Sequence, residues 1–279
     1  MNSDRFLLPA PVEALLWKLG RLLFHVVGLA WQLFMVAPLI IVVVVSFTSA
    51  SYLMFPPPGY SLDWYREVLS LSWIRSAVTS SLIIATCATL IAVVIGVLAS
   101  RVLAKRPFRG RGLVEYLVLS PLFLPGVVIG FAIFNVLVMI QVDRVAMPQM
   151  IIAHVMITLP FVIRSVWASM AGADISLEEA AQSLGATPAQ TFWHVVLKSA
   201  RPGILAGAIL AFTFSFNDVT ISIFLTSSRV TTLPVQLVSH IEYNPDPSPA
   251  AISTLMIAIT LALFVFLARI GGLNAFLER

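Results

Sequence analysis

The sequence predicts an all-α membrane protein with six transmembrane helices, and three observations support this prediction. Hydrophobic residues make up 59% of the 279 residues and charged residues only 11%, whereas soluble domains usually carry about 25% charged residues. Six apolar segments are each long enough to cross about 30 Å of hydrocarbon, which takes roughly 20 helical residues. The lysines and arginines cluster between these segments, as they do in membrane proteins. A water-soluble globular domain is therefore excluded.

We predict a single transmembrane domain over residues 1–279, with one spanning helix in each apolar segment. The third segment contains Pro121, Pro125 and Gly126, which are expected to bend or break its helix, since neighbouring helices can satisfy the freed carbonyl groups. The first segment is expected to stay in the protein because no small-residue cleavage site follows it. The predicted spans are approximately 23–46, 76–99, 113–140, 147–171, 203–225 and 249–268.

The distribution of basic residues predicts the orientation of the chain. Twelve of the 17 lysines and arginines fall on the side of the membrane that holds the N-terminus, including the five between Arg101 and Arg111. Because cytoplasmic loops carry an excess of these residues, we place both termini and the loop 173–202 in the cytoplasm. Membrane orientation then accounts for the net charge of +4, so no nucleic-acid partner is predicted. Membrane lipid is expected to surround the chain.

Helix-capping residues mark the cytoplasmic loop 173–202. Ser176 is a predicted N-cap, and Glu179 three residues later completes a capping box. Glu178 and Glu179 both lie in the first turn, where the helix dipole favours negative charge. The small apolar face of this predicted helix is formed by Ala180, Ala181 and Leu184.

A glycine turn and a second helix follow in the same loop. Gly185 suits a left-handed C-cap, Thr187 is a second N-cap with Pro188 at the first helical position, and Gln190 completes a second capping box. The pattern therefore predicts helix, sharp turn, helix. Such a pair is either a docking knob for another protein or an interfacial pair on lipid headgroups, and we favour docking.

Polar residues inside the predicted spans are candidates for a solute path. A charged side chain costs at least about 2.5–3.5 kcal/mol near the centre of a span, and Asp218 lies in the fifth predicted span beside Asn217 and Ser215. One interpretation is a polar lining that meets a cationic or zwitterionic solute. The other is a structural hydrogen bond to a neighbouring helix or subunit. Asn135, near the outer end of the third span, is a further path candidate.

Two other polar residues in the spans are interpreted as structural. Arg164 is about seven residues from the cytoplasmic end of the fourth predicted span, close enough for its side chain to reach the headgroups. His154, in the same span, is expected to form an interhelical hydrogen bond rather than to act as a proton relay.

The sequence contains no motif for chemistry of its own. The phosphate-binding pattern G-x-x-x-x-G-K-[ST] is missing. The four histidines are scattered and Cys87 is the single cysteine, so neither a metal cluster nor a disulfide is predicted. We therefore predict no enzyme activity and no catalytic, cofactor-binding or metal-binding residues, and expect any ATP to be bound by another polypeptide.

The stretch EEAAQSLGATPAQTFWHVVL resembles the EAA loop of the inner-membrane permease subunits of ABC importers. The family pattern is Glu-Ala-Ala, three residues, Gly, nine residues, an aliphatic residue, another aliphatic residue two positions on, and Pro. Lys198 stands where the family has that proline, which concerns only the exit from the second helix. The residues that match the pattern are Glu179, Ala180, Ala181, Gly185, Val195 and Leu197.

The resemblance implies a type I ABC importer permease fold and a set of partners. In that family the loop is a coupling helix that fits a cleft on the ATPase, so an ABC ATPase dimer is expected to dock here. A second permease subunit, in a heterodimer, and a periplasmic solute-binding protein are also implied, in a bacterial inner membrane. The implied coupling residues are Ser176, Glu178, Glu179, Ala180, Ala181, Leu184, Gly185, Thr187 and Pro188.

The implied solute is a small organic molecule, and two solute classes stay open. The stretches FPPPGYSLDWYREVL, HVMITLPFVIRSVWASMAG and FSFNDVTISIFLT resemble the polyamine subgroup of these permeases. However, polyamine permeases often have an acidic residue where Leu122 stands here. An amino-acid-like solute, such as an opine, a γ-amino acid or an aminophosphonate, therefore competes. An ion-coupled secondary transporter is the alternative class, disfavoured by the docking loop and by the scarcity of membrane carboxylates.

Overall fold

The protein is described by a computed structural model that covers residues 10–105, 108–141, 147–172 and 176–271. The regular elements of these residues are helices, which confirms the predicted all-α class. A 3-10 turn, Ser120–Leu122, and a π-helical segment, Phe192–Val196, interrupt the α-helices. The α-helices are α1 (Ala10–Val45), α2 (Asp63–Ser70), α3 (Ser72–Lys105), α4 (Arg111–Leu119), α5 (Gly126–Met139), α6 (Met147–Ala171), α7 (Ser176–Ser183), α8 (Pro188–Thr191), α9 (Leu197–Phe216), α10 (Ser222–Leu225), α11 (Leu233–Tyr243) and α12 (Ser248–Gly271).

Within the described residues, five continuous helical segments are long and apolar enough to cross a membrane, and a bent pair of helices would make a sixth span. The number agrees with the six apolar segments of the sequence. The division of the chain into one permease domain stays a prediction. The five continuous segments are Leu16–Val45, Ser72–Ala104, Met147–Ala171, Pro188–Phe216 and Ser248–Phe266.

The third predicted span, 113–140, is the bent pair. Residues Arg111–Leu122 and Gly126–Met139 meet at an angle of 101°. Pro125 stands at the N-cap of α5 with φ −58° and ψ 131°, a conformation that a helix cannot continue through. The break predicted from the prolines is therefore present in the structure.

The fifth span differs from its predicted bounds of 203–225. It starts earlier, because α8, the π-helical segment and α9 form one continuous helix over Pro188–Phe216, and it carries Lys198 and Arg201 within it. It ends earlier, because the Asp218 carboxylate accepts hydrogen bonds from the backbone N–H groups of Ile221 and Ser222. The carboxylate accepts from these N–H groups in place of the backbone carbonyls that would accept from them in a continuous helix. Asp218 therefore lies in a helix break.

Among the described residues, the contacts define two compact units, of which the first comprises those within 1–65 and 246–254. The apolar window of α1 has none of its residues buried. After α1 the chain is held by the Ser46 Oγ and Tyr65 hydroxyl oxygens, 2.6 Å apart, and by Trp64, whose indole N–H donates to the Ala50 carbonyl at 3.1 Å. These bonds hold the loop 46–62, which connects α1 to α2, against the start of α2.

The second unit comprises residues 66–245 and 255–279 and is built around α3, α6 and α9, which pack against one another. The buried Ser100 hydroxyl of α3 donates to the Ile163 carbonyl of α6 at 3.1 Å, and the Ser169 hydroxyl of α6 donates to the Ser199 carbonyl of α9 at 3.2 Å. Interhelical hydrogen bonds of this kind supplement close packing where lipid provides no hydrophobic drive. One buried core between these helices includes Ala92, Val97, Val162, Val166, Met170, Val196, Ala200 and Ala211.

Two glycines of α9 let it approach α6 closely. A Cβ added at Gly207 would lie 2.9 Å from the Val162 Cα atom, and one added at Gly203 would overlap the Ser165 carbonyl oxygen and the Ser169 Cβ atom. Their spacing of four residues places both glycines on one face of the helix. The backbones of α6 and α9 are therefore in direct contact.

Candidate functional site

The helix pair α7–α8, in the loop predicted to face the cytoplasm, contains the first group of predicted site residues. α7 begins at Ser176, and the residues just before it lie outside the described part of the chain, so the predicted capping box of Ser176 stays a prediction. Ala180 is exposed and Ala181 is half-buried. Leu184 is 89% exposed, and Leu177 and Trp193 are also exposed. The pair, the turn between its helices and the adjoining π-helical segment thus present large apolar side chains to their surroundings.

The turn between α7 and α8 has the geometry predicted for Gly185. Its φ is +89°, in the left-handed region that glycine adopts without strain. The Ala186 N–H donates to the Ala181 carbonyl at 3.0 Å, and the Gly185 N–H donates to the Gln182 carbonyl at 2.9 Å. These two bonds form a Schellman motif, which closes α7 and reverses the chain.

The second predicted capping box is present at the start of α8. The Gln190 N–H donates to the Thr187 hydroxyl at 3.3 Å, and the Thr187 N–H donates to the Gln190 side-chain oxygen at 2.8 Å. Pro188 occupies the first helical position. Because both helix ends are hydrogen-bonded, the helix pair has a defined shape.

The two glutamates of α7 have different surroundings. Glu178 accepts two hydrogen bonds from the Arg101 guanidinium of α3, at 2.6 Å and 2.5 Å. Glu179 is exposed, and its carbonyl accepts a hydrogen bond from the Ser183 hydroxyl at 2.9 Å. Sequence reasoning treated Arg101 only as a topology signal, so this contact was missed.

A cavity of about 560 Å³ lies beside α6 and α9. It brings together two of the predicted path residues, Asn217 and Asp218. Asn217 is exposed, and its side-chain amide donates to the Thr213 carbonyl at 2.8 Å. The cavity is lined by Phe161, Leu210, Thr213, Phe214, Asn217, Asp218, Val219 and Thr220.

The Asp218 carboxylate is held by its own chain segment. One oxygen accepts from the Thr220 hydroxyl at 3.0 Å. The other accepts from the Ile221 N–H at 3.2 Å, the Ser222 N–H at 2.9 Å and the Ser222 hydroxyl at 3.0 Å. The residue is 7% exposed. These four hydrogen bonds fix the position of the carboxylate in the cavity wall.

His154 connects the helix break to α6. Its Nδ1 lies 2.7 Å from the Ser215 hydroxyl and its Nε2 lies 3.1 Å from the Ser222 hydroxyl. All three residues are buried. The predicted interhelical hydrogen bond of His154 is therefore present, and Ser215 contacts His154 instead of lining the cavity.

The remaining polar candidates lie apart from the cavity lining. Asn135 of α5 is exposed, and its amide donates to the Phe131 carbonyl one turn earlier at 2.8 Å. Arg164 of α6 is also exposed. Neither residue is among those that form the cavity wall.

An aromatic pair completes the cavity, and sequence reasoning missed it. The rings of Phe161 on α6 and Phe214 on α9 have centroids 4.8 Å apart at an interplanar angle of 41°. The sequence contains 18 phenylalanines, and a phenylalanine in an apolar segment has no feature that distinguishes a cavity wall from a lipid-facing position. For metal chemistry, the described residues contain no cluster of three or more His, Cys, Asp or Glu side chains that could hold an ion.

Comparisons with known proteins identify the chain's relatives. Residues 92–279 match the family described as "Binding-protein-dependent transport system inner membrane component". The chain is 34% identical to the putrescine transport system permease protein PotI of Escherichia coli K12 over 231 residues, which cover 80% of this chain and 82% of PotI. It is 28% identical to the spermidine/putrescine transport system permease protein PotC of the same strain, over 88% of this chain and 93% of PotC.

The fold is also similar to that of a solved transporter. A chain in the crystal structure of a bacterial ABC transporter involved in the import of the acidic polysaccharide alginate superposes with a TM-score of 0.72 at 17% sequence identity, covering 92% of this chain and 98% of that chain. This likeness agrees with the permease fold that the EAA-like loop implies. The chain belongs to the family of binding-protein-dependent transport system inner membrane components, the permease subunits of ABC importers.

Proposed function

We propose that this permease forms, with a second permease subunit, the membrane path for a small solute that carries a protonated amine. A periplasmic binding protein delivers the solute, and a separate ABC ATPase dimer binds ATP and drives the cycle. The chain itself holds no cofactor and catalyses no reaction. It lies in a bacterial inner membrane with both termini in the cytoplasm.

The cavity beside α6 and α9 carries the solute proposal. Asp218 puts a carboxylate in its wall, and all four hydrogen bonds to that carboxylate come from neutral hydroxyl and backbone N–H groups. Among the described residues, no lysine or arginine forms an ion pair with it. A carboxylate attracts a cationic group, more strongly where burial limits screening by water, so a cationic solute group is the partner that would be favoured there.

The aromatic pair in the same wall supports the same chemistry. Phe161 and Phe214 both line the cavity, and a cation over an aromatic ring gains about 0.5–2 kcal/mol, more when water is excluded. A cavity of about 560 Å³ also lies in the range of roughly 300–1,000 Å³ that holds small ligands. An ammonium group between them would form an ion pair with the Asp218 carboxylate and a cation–π contact with the phenylalanine rings.

The relatives support a cationic solute and leave its identity open. PotI and PotC are named for the transport of putrescine and spermidine, which are polyamines with two or more amines. Opines, γ-amino acids and aminophosphonates also carry an amine and fit the same carboxylate. We therefore propose the amine as the shared recognition element, with polyamines as the first solutes to test.

The exposed helix pair supports docking of the ATPase. Leu184, Leu177 and Trp193 are large apolar side chains on a segment predicted to face the cytoplasm. Their burial in a partner cleft would stabilise the complex, since each buried side chain of this size contributes about 1.5–3 kcal/mol. The alternative, in which the pair lies on lipid headgroups, predicts no ATPase partner.

The first experiment isolates the tagged chain from its native membrane and identifies the proteins that co-purify by mass spectrometry. Recovery of an ABC ATPase and a second permease supports the proposal. Proteoliposomes made from this assembly and its binding protein should take up a radiolabelled polyamine only with internal ATP. Recovery of the chain alone, or uptake driven by an ion gradient without ATP, would favour the secondary transporter.

The role of Asp218 is tested by a matched pair of variants. Asp218→Asn removes the charge and keeps the shape, so the KM for the cationic solute is expected to rise about tenfold, equivalent to about 1.4 kcal/mol. Ser222→Ala removes one hydrogen bond to Asp218 and the contact with His154 Nε2 but keeps the charge, so its KM should change less than threefold. Equal effects of the two variants would make Asp218 a purely structural residue.

A further inference from the structure

Arg101 and Glu178 form a two-bond ion pair that joins α3 to α7. The two guanidinium nitrogens contact the two carboxylate oxygens at 2.6 Å and 2.5 Å, and the side chains are 19% and 23% exposed. A pair with two parallel bonds fixes the relative orientation of its groups as well as their distance. Partial burial reduces the screening that weakens exposed ion pairs. This contact is therefore a defined link between the two helices.

The position of the Arg101–Glu178 ion pair along the chain shows which helices it links. The helix pair α7–α8 lies between α6 and α9 in the sequence and continues into α9 through the π-helical segment. Motion of the helix pair is thus passed to α6 and α9 through the covalent backbone. α3 is the third helix of the packed core, and the chain between α3 and α7 runs through α4, α5 and α6. The Arg101–Glu178 pair supplies a direct link between α7 and α3.

The pair lies close to other contacts between α3 and the core. Ser100, the residue before Arg101, donates its buried hydroxyl to the Ile163 carbonyl of α6 at 3.1 Å. α7 itself packs on α8 and on the π-helical segment. The cytoplasmic part of α3 is therefore held on one side by α6 and on the other by α7.

We propose that Arg101 is a positioning residue for coupling, which passes the displacement of the α7–α8 helix pair to α3 through Glu178. This inference rests on the proposed function, in which an ATPase moves the helix pair. With the ion pair intact, α3, α6 and α9 tilt together as one body. Without it, ATP-driven motion of the loop reaches α6 and α9 but is delivered incompletely to α3, so ATP is hydrolysed with less transport.

The measurement is the number of solute molecules taken up per ATP hydrolysed, in proteoliposomes that hold the complete assembly with its binding protein. For Arg101→Ala we expect this ratio to fall about fivefold or more, while ATP hydrolysis continues. A residue that served only to stabilise the fold would lower the amount of inserted protein, or lower both rates together, and leave the ratio unchanged.

Two further variants test the geometry of the pair. Arg101→Lys keeps the charge but loses the two-bond fork, so its ratio should lie between those of the wild type and Arg101→Ala. Glu178→Gln should resemble Arg101→Ala. The charge-swapped double variant, Arg101→Glu with Glu178→Arg, restores an ion pair at the same place and should recover a large part of the ratio.

The matched control is Arg109→Ala. Arg109 belongs to the same group of basic residues, is exposed, and forms no ion pair with other described residues. The uptake per ATP hydrolysed of Arg109→Ala should therefore equal that of the wild type. If Arg101→Ala does not enter the assembly, the inference is tested by the uptake per ATP hydrolysed of Arg101→Lys and of the charge-swapped variant.

Three outcomes overturn the inference, and they are distinguishable. An unchanged ratio in Arg101→Ala means that the pair transmits nothing. A charge-swapped variant no better than the single variants means that the ion pair is not the link. A wild-type assembly without ATP-dependent uptake overturns the proposed function itself, and the inference falls with it.

Discussion

Single residues set the shape of the helix pair α7–α8. Gly185 takes a φ of +89°, and the Thr187–Gln190 box fixes the next helix two residues later. These interactions join residues at most five positions apart, so local sequence is enough to specify them. That is why the capping residues could be predicted, whereas the Arg101–Glu178 pair, whose members are 77 residues apart, could not.

Replacing Gly185 with alanine is expected to weaken coupling through backbone strain alone. A Cβ added at Gly185 meets open space, but a non-glycine residue in the left-handed region costs about 1–2 kcal/mol. ATP-dependent uptake in proteoliposomes should therefore fall about tenfold if the loop must keep this turn to couple.

The control for this prediction is Gly112→Ala in α4, where a Cβ also meets open space but φ is not positive. This variant should keep wild-type uptake, since alanine is favoured over glycine in a helix. Equal uptake by the two variants would show that the conformation of Gly185 is not required.

At the scale of the helices, packing decides which faces of the chain are buried. α3, α6 and α9 form the core of the second unit, and Gly203 and Gly207 bring α9 into backbone contact with α6. Hydropathy predicts that these segments are apolar but not which faces meet, because a buried face and a lipid-facing surface have the same composition. The end of the fifth span was mispredicted for a related reason: Asp218 ends the helix through hydrogen bonds that hydropathy does not measure.

Replacing Gly207 with alanine is expected to destabilise the packed core. The added Cβ would lie 2.9 Å from the Val162 Cα atom of α6, so the two helices must separate, and overpacking of this kind costs about 1–3 kcal/mol. The melting temperature of the detergent-solubilised protein should fall. Gly28→Ala in α1, where the added Cβ meets nothing within 4 Å, should leave it unchanged. A drop of the same size in both variants would mean that the glycine contact does not hold the helices together.

At the scale of the whole molecule, the orientation of the chain in the membrane decides whether the helix pair α7–α8 faces the cytoplasm. The excess of basic residues on one side predicts that both termini and residues 173–202 face the cytoplasm. Green fluorescent protein fused to the C-terminus should therefore fluoresce, and alkaline phosphatase fused there should be inactive. The reverse result would place the helix pair outside the cell, where no ATPase could reach it.

The sequence by itself determined the membrane class, the number of apolar spans, the break in the third span and the two short helices α7 and α8. Each of these depends on composition, or on residues that interact within a few positions of one another. Only the tertiary structure decided that Asp218 lies in a helix break beside the Phe161–Phe214 pair, that His154 bonds Ser215, and that Arg101 holds Glu178. Those contacts join distant segments, and their partners are chosen by how the helices pack, which no local pattern records.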